Sequence, residues 1–395
     1  MSKAVNKSLI IAGALLVAGI LGTVACQRVP RFQGEMQQKD AIRDSDVYTT
    51  LSMPAQAAAD SALRAILDEE QDLESGGLLL MEVHTGAIRA MVNLSKERQI
   101  IDSEEAWERY NCAIASSYEP GEVLQTMTLA SVLRDCHLHS LDETVETNHG
   151  ILPDYPQDIN LLDYERTHWT NCISVKEGFA LSSRYVFGKL ATDYYAESEQ
   201  YYTEGIRPWC LSEGNYWKNS SFPSLANGHA LVMTPLDILS FYNTIANRGT
   251  MVQPYLVETL PNGKATIFKH TPRVIRELTM SAAVADTLTK ALRYVTTNGT
   301  GHRQLSDAKV AVAGKTGTAR QILNPYDEKG LADDPYHDSE GRHITAATYV
   351  GFFPAEAPQY SVICVLFSYP SMKTFFGGTY PAMAVRALVD RMCEK

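Results

Sequence analysis

The sequence predicts one α/β domain whose sheet joins the two ends of the chain. Two runs near the start, residues 78–82 and 87–92, are apolar and are linked by His84-Thr85-Gly86, a hairpin signature. Two more runs near the end, 345–353 and 360–367, read as strands separated by a Pro-containing turn, and a final helix begins at Ala382. Helical spacing dominates the residues between these pairs. Strands at both ends with helices between them suit a layered fold in which the last strands return to pair with the first.

Before the domain, Lys3 and Lys7 precede an apolar stretch over residues 9–25, and the chain turns polar at Gln27-Arg28. A basic flank followed by a short apolar segment is an export signal or a membrane anchor. The stretch is short of the roughly 20 apolar residues that a spanning helix needs. It ends Thr23-Val24-Ala25-Cys26, which resembles the cleavage box of bacterial lipoproteins and makes Cys26 a candidate for lipidation; Thr23 departs from the usual Leu, Val or Ile there. A lipoprotein signal and an uncleaved anchor both remain open for residues 1–26, and either one exports the body and holds it at a membrane. Residues 27–54 are polar without a clear apolar period and read as a tether. Structure signals are continuous over 55–395, beginning with a helical pattern in 57–73 that places Ala59, Leu63, Ile66 and Leu67 on one face.

Composition narrows the function classes. The 395 residues are 45% hydrophobic and 21% charged, ordinary for a folded protein with a sizeable core. The formal charge of −11, with no long basic run, gives nucleic-acid binding little electrostatic support. The 7 cysteines form no CxxC pair, which argues against a structural zinc site, and their spacing leaves disulfides and buried thiols equally open. No cofactor and no metal are implied.

An ordered set of motifs carries the chemistry. Ala313-Gly314-Lys315-Thr316-Gly317-Thr318-Ala319 resembles the Lys-Thr-Gly signature of the serine penicillin-recognising family. Asn111-Cys112-Ala113 and Tyr118-Glu119-Pro120-Gly121 resemble the approach to the nucleophile helix of class B penicillin-binding proteins. Thr234-Pro235-Leu236-Asp237, Ile245-Ala246-Asn247-Arg248-Gly249, Val350-Gly351-Phe352-Phe353-Pro354, Pro358-Gln359-Tyr360 and Gly377-Gly378 follow in family order. The resemblance covers roughly residues 55–393. It implies a penicillin-binding transpeptidase or serine β-lactamase-like fold, an antiparallel sheet flanked by helices, with a role in peptidoglycan synthesis or division.

The same resemblance implies a Ser-x-x-Lys pair after Pro-Gly, the serine as nucleophile and the lysine one helical turn later as its base. This chain reads Glu122-Val123-Leu124-Gln125. Attack by a carboxylate would give a reactive anhydride in place of an ester, and a neutral amide takes no proton. The second motif, Ser-x-Asn, falls within 173–191 as Ser182-Ser183-Arg184, so a long cation stands where the substrate-orienting amide is expected. Lys315-Thr316-Gly317 is kept, together with Thr318, and in active relatives that strand helps to bind the substrate carboxylate. Gly314 and Gly317 could equally be kept for close strand packing.

Glu122 suits a helix start on electrostatic grounds alone. The sharper expectation is that it pairs with Arg184 or Lys315 and fills the former acyl pocket. Ser306-Asp307-Ala308-Lys309 repeats the nucleophile spacing but lies too close to Lys315 to occupy the nucleophile helix. Residues 321–343 gather acidic and histidine side chains that read as a solvated loop rather than a metal site. Tyr194, Tyr195, Tyr201, Tyr202, Trp209, Tyr216 and Trp217 either line a glycan groove or, more in keeping with their number, pack beneath a loop. Two functions follow. One is a catalytically degenerate domain that binds a peptidoglycan stem peptide or cell-wall synthesis and division proteins. The other is a transpeptidase or carboxypeptidase with a non-standard nucleophile.

Overall fold

The computed structural model describes residues 48–96, 111, 113–114, 118–147, 172–209, 222–229, 231–262, 265–277, 279–321, 326–327, 330–331, 336–371 and 373–393. Residues 1–26, Cys26 among them, and most of the expected tether lie outside these. In chain order the main elements are α1 (Met53–Glu69), β1 (Leu73–Glu82), β2 (Ile88–Ser95) and a 3-10 turn (Gly121–Leu124) that runs straight into α2 (Gln125–Arg134). Next come α3 (Val175–Ala180), α4 (Arg184–Tyr195), α5 (Glu199–Ile206), α6 (Phe222–Ala226), α7 (Pro235–Ala246), α8 (Ala282–Asn298) and α9 (His302–Leu305). The chain closes with β3 (Ala313–Arg320), β4 (Thr345–Phe353), β5 (Tyr360–Ser368) and α10 (Tyr380–Met392).

The central sheet has the order β3-β4-β5-β1-β2, and every neighbouring pair is antiparallel. Pairing of β5 with β1 joins the chain ends, as the sequence predicts. Strand alternation divides the core in two. Leu79, Met81, Val350, Phe352, Ile363 and Val365 face the helical body that holds α2, α7 and α8. Leu78, Leu80, Tyr349, Phe353, Val362 and Leu366 face α1 and α10. Every residue of α7 is buried, the polar Asp237, Ser240, Asn243 and Thr244 included, so this helix runs through the interior. Its start is fixed by a capping box between Thr234 and Asp237 with Pro235 in the first turn.

Several boundaries move from the sequence reading. The first helix begins at Met53, where Pro54 suits the first helical turn, and ends at Glu69, because Leu73 is needed as the buried first residue of β1. Tyr48–Thr49 pairs with Val257–Asn262, so the fold takes up the chain before residue 55. The 173–191 stretch is two helices, α3 and α4, broken where Ser182 adopts φ +61°. The turn at His84-Thr85-Gly86 is present: Gly86 has φ +80°, and a Cβ there would lie 2.3 Å from the Gln253 carbonyl oxygen. Among the described residues no helix is long and apolar enough to cross a membrane.

Candidate functional site

Three pieces of chain meet at one end of β3: the turn at 118–125, the break between α3 and α4, and β3 itself. The turn is pinned from both sides. Tyr118 forms an antiparallel bridge with Met233, and its hydroxyl hydrogen-bonds the Thr348 hydroxyl at 2.9 Å. The Gly121 N–H donates to the Gly228 carbonyl at 3.0 Å. Gly121 has φ +60°, and a Cβ on it would lie 2.8 Å from the Thr318 carbonyl oxygen, so only glycine lets the turn press this closely on β3.

That approach carries Glu122 into the cleft at 7% exposure. Arg184 Nε donates to its Oε1 at 2.7 Å, and Nη2 completes the ion pair 2.5 Å from the same oxygen. The Thr318 backbone N–H donates to Oε2 at 2.8 Å. Burial pushes the Glu122 carboxyl up, but the Arg184 guanidinium, helped by His229 and Lys315, outweighs it and holds the carboxyl below its ordinary value. The sequence offered Arg184 or Lys315 as the partner of Glu122, and the ion pair found is with Arg184.

Gln125, one turn on, is fully buried. Its Nε2 donates to Asn227 Oδ1 at 2.8 Å and to the Ser183 carbonyl at 3.3 Å. Asn227 spends its own Nδ2 on the carbonyls of Arg184 and Pro223, both at 2.9 Å, which fixes the orientation of both amides. Gln125 is thus a structural bridge with both amide hydrogens committed. Its Oε1 is buried with no hydrogen-bond partner among the described residues.

Alternation along β3 separates the retained motif. Lys315 and Gly317 face the turn and the helix break. Lys315 is fully buried over the Phe179 ring, and its Nζ donates to Ser182 Oγ at 2.5 Å. A Cβ on Gly317 would lie 2.6 Å from the Pro120 carbonyl oxygen. Thr316 and Thr318 turn the other way: the Thr316 hydroxyl bonds Thr300 at 2.6 Å, and the Thr318 hydroxyl accepts from the Gly377 N–H at 3.3 Å. Ser182, Arg184, Lys315, Gly317 and the Thr318 backbone therefore converge with Glu122, whereas the Thr316 hydroxyl is engaged beside them with Thr300.

Comparison with known proteins gives the family and the fold. The family model described as the penicillin binding protein transpeptidase domain matches residues 76–390. The chain belongs to the penicillin-binding protein transpeptidase family. It is 25% identical over 357 residues to "Penicillin-binding protein PbpB" of Mycolicibacterium smegmatis, a match covering 82% of this chain and 50% of that relative. It is 26% identical over 381 residues to "Peptidoglycan D,D-transpeptidase PbpA" of the same organism, covering 88% and 72%. The chain thus spans half the length of the first relative. Among solved structures, that of PBPA from Mycobacterium tuberculosis superposes with a TM-score of 0.68 at 20% identity, covering 92% of this chain and 85% of that one. Penicillin Binding Protein 2X from Streptococcus thermophilus gives 0.69 at 18% identity, covering 88% and 52%. These likenesses establish the penicillin-binding transpeptidase fold.

Within this transpeptidase-family cleft lie residues to which the sequence assigned no role, Glu119 among them although it stands in the Tyr118-Glu119-Pro120-Gly121 motif. Glu119 is buried, accepts from the Tyr336 hydroxyl at 2.7 Å and faces His229 Nδ1 at 3.4 Å. Asn227, His229, Thr300 and Tyr336 come from loops or loop edges remote in sequence, and no local spacing announces them. Ser306-Asp307-Ala308-Lys309 lies against α10 instead, where Lys309 contacts Asp390 and Asp307 contacts Arg386. Of the acidic segment, Asp338 is tied to Arg342 at 2.8 Å. Tyr195, Tyr202 and Trp209 are core residues, Tyr194 and Tyr201 are exposed, and Tyr216 and Trp217 lie outside the described residues.

Proposed function

We propose that this chain keeps the transpeptidase fold as a non-acylating domain of the bacterial cell envelope, one that binds a peptidoglycan peptide or a protein of cell-wall synthesis or division. The observation that carries this reading is the commitment of Glu122. At the position of the expected nucleophile stands a carboxylate that is already bonded to a guanidinium and to a backbone N–H. An acyl-transfer site needs backbone N–H groups aimed at the developing oxyanion. Here the Thr318 N–H beside the nucleophile position is taken by Glu122, so the two motif positions carry neither serine nor lysine and this donor is occupied. The apolar segment at residues 9–25 supports an exported, membrane-held location.

One observation favours the enzymatic alternative. Ser182 Oγ lies 2.5 Å from Lys315 Nζ, and a serine beside a buried lysine is a nucleophile arrangement where the lysine is neutral. Against it, a charged lysine donates to Ser182 and takes nothing from it, and the oxyanion donor is occupied. Incubation of the purified chain with a fluorescent penicillin separates the two. The expected result is no covalent adduct. A stable adduct that disappears in Ser182→Ala overturns the non-acylating reading.

A further inference from the structure

Glu122 is a side chain of the chain's own turn, yet it is held as a bound ligand would be. One planar carboxylate is met by three nitrogens: Nε and Nη2 of Arg184 at Oε1, and the Thr318 backbone at Oε2. The guanidinium on one oxygen and a backbone N–H on the other match the charge of a carboxylate and both of its acceptor atoms. The Thr318 donor lies on the edge strand of the sheet, on the side with no strand neighbour among the described residues, so whatever supplies the acceptor completes it. Lys315 and His229 add positive potential around the same carboxylate. The site also reaches solvent: the Arg184 side chain is 28% exposed, against 9% for Glu122.

We propose that Arg184 and the Thr318 N–H form a carboxylate-binding site, and that Glu122 is its built-in, displaceable occupant. The proposal deepens the non-acylating reading and rests on it for the purpose of the cleft. Tethering gives Glu122 a high effective concentration, which a free monocarboxylate does not overcome. A peptide with an acidic side chain or a free C-terminus, adding contacts from its neighbouring residues, exchanges with Glu122 and so is read only as part of a larger ligand.

Acetate is the probe. In Glu122→Ala, about 0.1 M acetate should raise the thermal midpoint by at least about 2 °C over the same concentration of chloride. The unmodified chain should show no such selectivity, and the double variant Glu122→Ala/Arg184→Ala should lose it. A folded Glu122→Ala that responds equally to acetate and chloride overturns the proposal, as does a response that survives loss of Arg184. Should Glu122→Ala not fold in chloride, recovery in acetate becomes the readout; selective recovery supports the site, and equal failure in both salts overturns it. Penicillin labelling of the unmodified chain is scored separately. An adduct there with intact acetate selectivity removes only the non-acylating reading, and absent selectivity without an adduct removes only the carboxylate site.

Discussion

At 7% exposure Glu122 keeps its charge because three donors and the nearby Lys315 and His229 replace the water it has lost. Arg184→Ala takes away two of those donors and most of the compensating charge. Breaking a fully buried pair costs roughly 3–5 kcal/mol. Because the Arg184 side chain remains 28% exposed, the cost here belongs near the bottom of that range, about 3 kcal/mol at neutral pH. The pH dependence gives the effect its signature. The wild-type carboxyl, held below its ordinary value, contributes stability that is complete above an unfolded pKa of about 4.3 and is lost as pH falls through the lower folded value. Without Arg184, burial is opposed by Lys315, His229 and the Thr318 N–H, so the folded carboxyl titrates at higher pH than in the wild type. The two proteins should therefore differ most at neutral pH and converge on acidification below about pH 4. Urea midpoints measured across that interval check this, and a difference that does not change with pH would place the cost of the substitution outside the Glu122 carboxylate.

The strand that carries Lys315-Thr316-Gly317 survives for reasons of packing that act whether or not acylation does. Gly317 gives β3 the room to lie against the turn at 120–123: an added Cβ would sit 2.6 Å from the Pro120 carbonyl oxygen and 2.9 Å from Val123 Cγ1. Gly377 does the same on the opposite side, where a Cβ would meet the Thr348 carbonyl oxygen at 2.0 Å. Gly317→Ala should consequently cost about 1–3 kcal/mol in the urea midpoint, as overpacking does, although the residue belongs to a cleft motif. A change below about 0.5 kcal/mol would show that the turn yields freely and would return Gly317 to a binding role. This double duty explains what the sequence reveals. The strands were legible because residues 345–353 and 360–367 are apolar runs bounded by turn residues, and such runs are buried wherever they pair. Glu122, Ser182, Arg184 and Lys315 were legible because they stand at motif positions. Asn227 and His229 were not, since their meeting with Gln125 and Glu119 bridges 102 and 110 residues of sequence and depends on a loop returning beside the turn. Helix ends shifted for a related reason: periodicity sees the apolar face of α1 but not that Leu73 is taken by the sheet.

Across the whole molecule, the sheet separates two cores, and the cleft sits on only one of them. The helical body supplies α2, α3 and α4 to the site, whereas α1 and α10 cover the other face. Both outer helices come from the ends of the domain, and they meet over strands that also come from its two ends. The outer layer packs on strands that the pairing of β1 with β5 holds together, so the layer and the sheet should unfold as one unit. Leu388 tests that coupling at a distance from the chemistry. It is fully buried in the outer core with Val385, Val389 and Leu63, so Leu388→Ala should cost about 2–5 kcal/mol through lost burial and the cavity left behind. If sheet and outer layer are one cooperative unit, the urea midpoint falls while the slope of the transition is unchanged. Acetate selectivity in a Glu122→Ala background should persist at temperatures where the Leu388→Ala protein is still folded, because the cleft is built from the opposite face. A shallower slope or a two-step transition would mean that α1 and α10 detach before the sheet, making the outer layer a separate unit laid over a cleft-bearing body that stands without it.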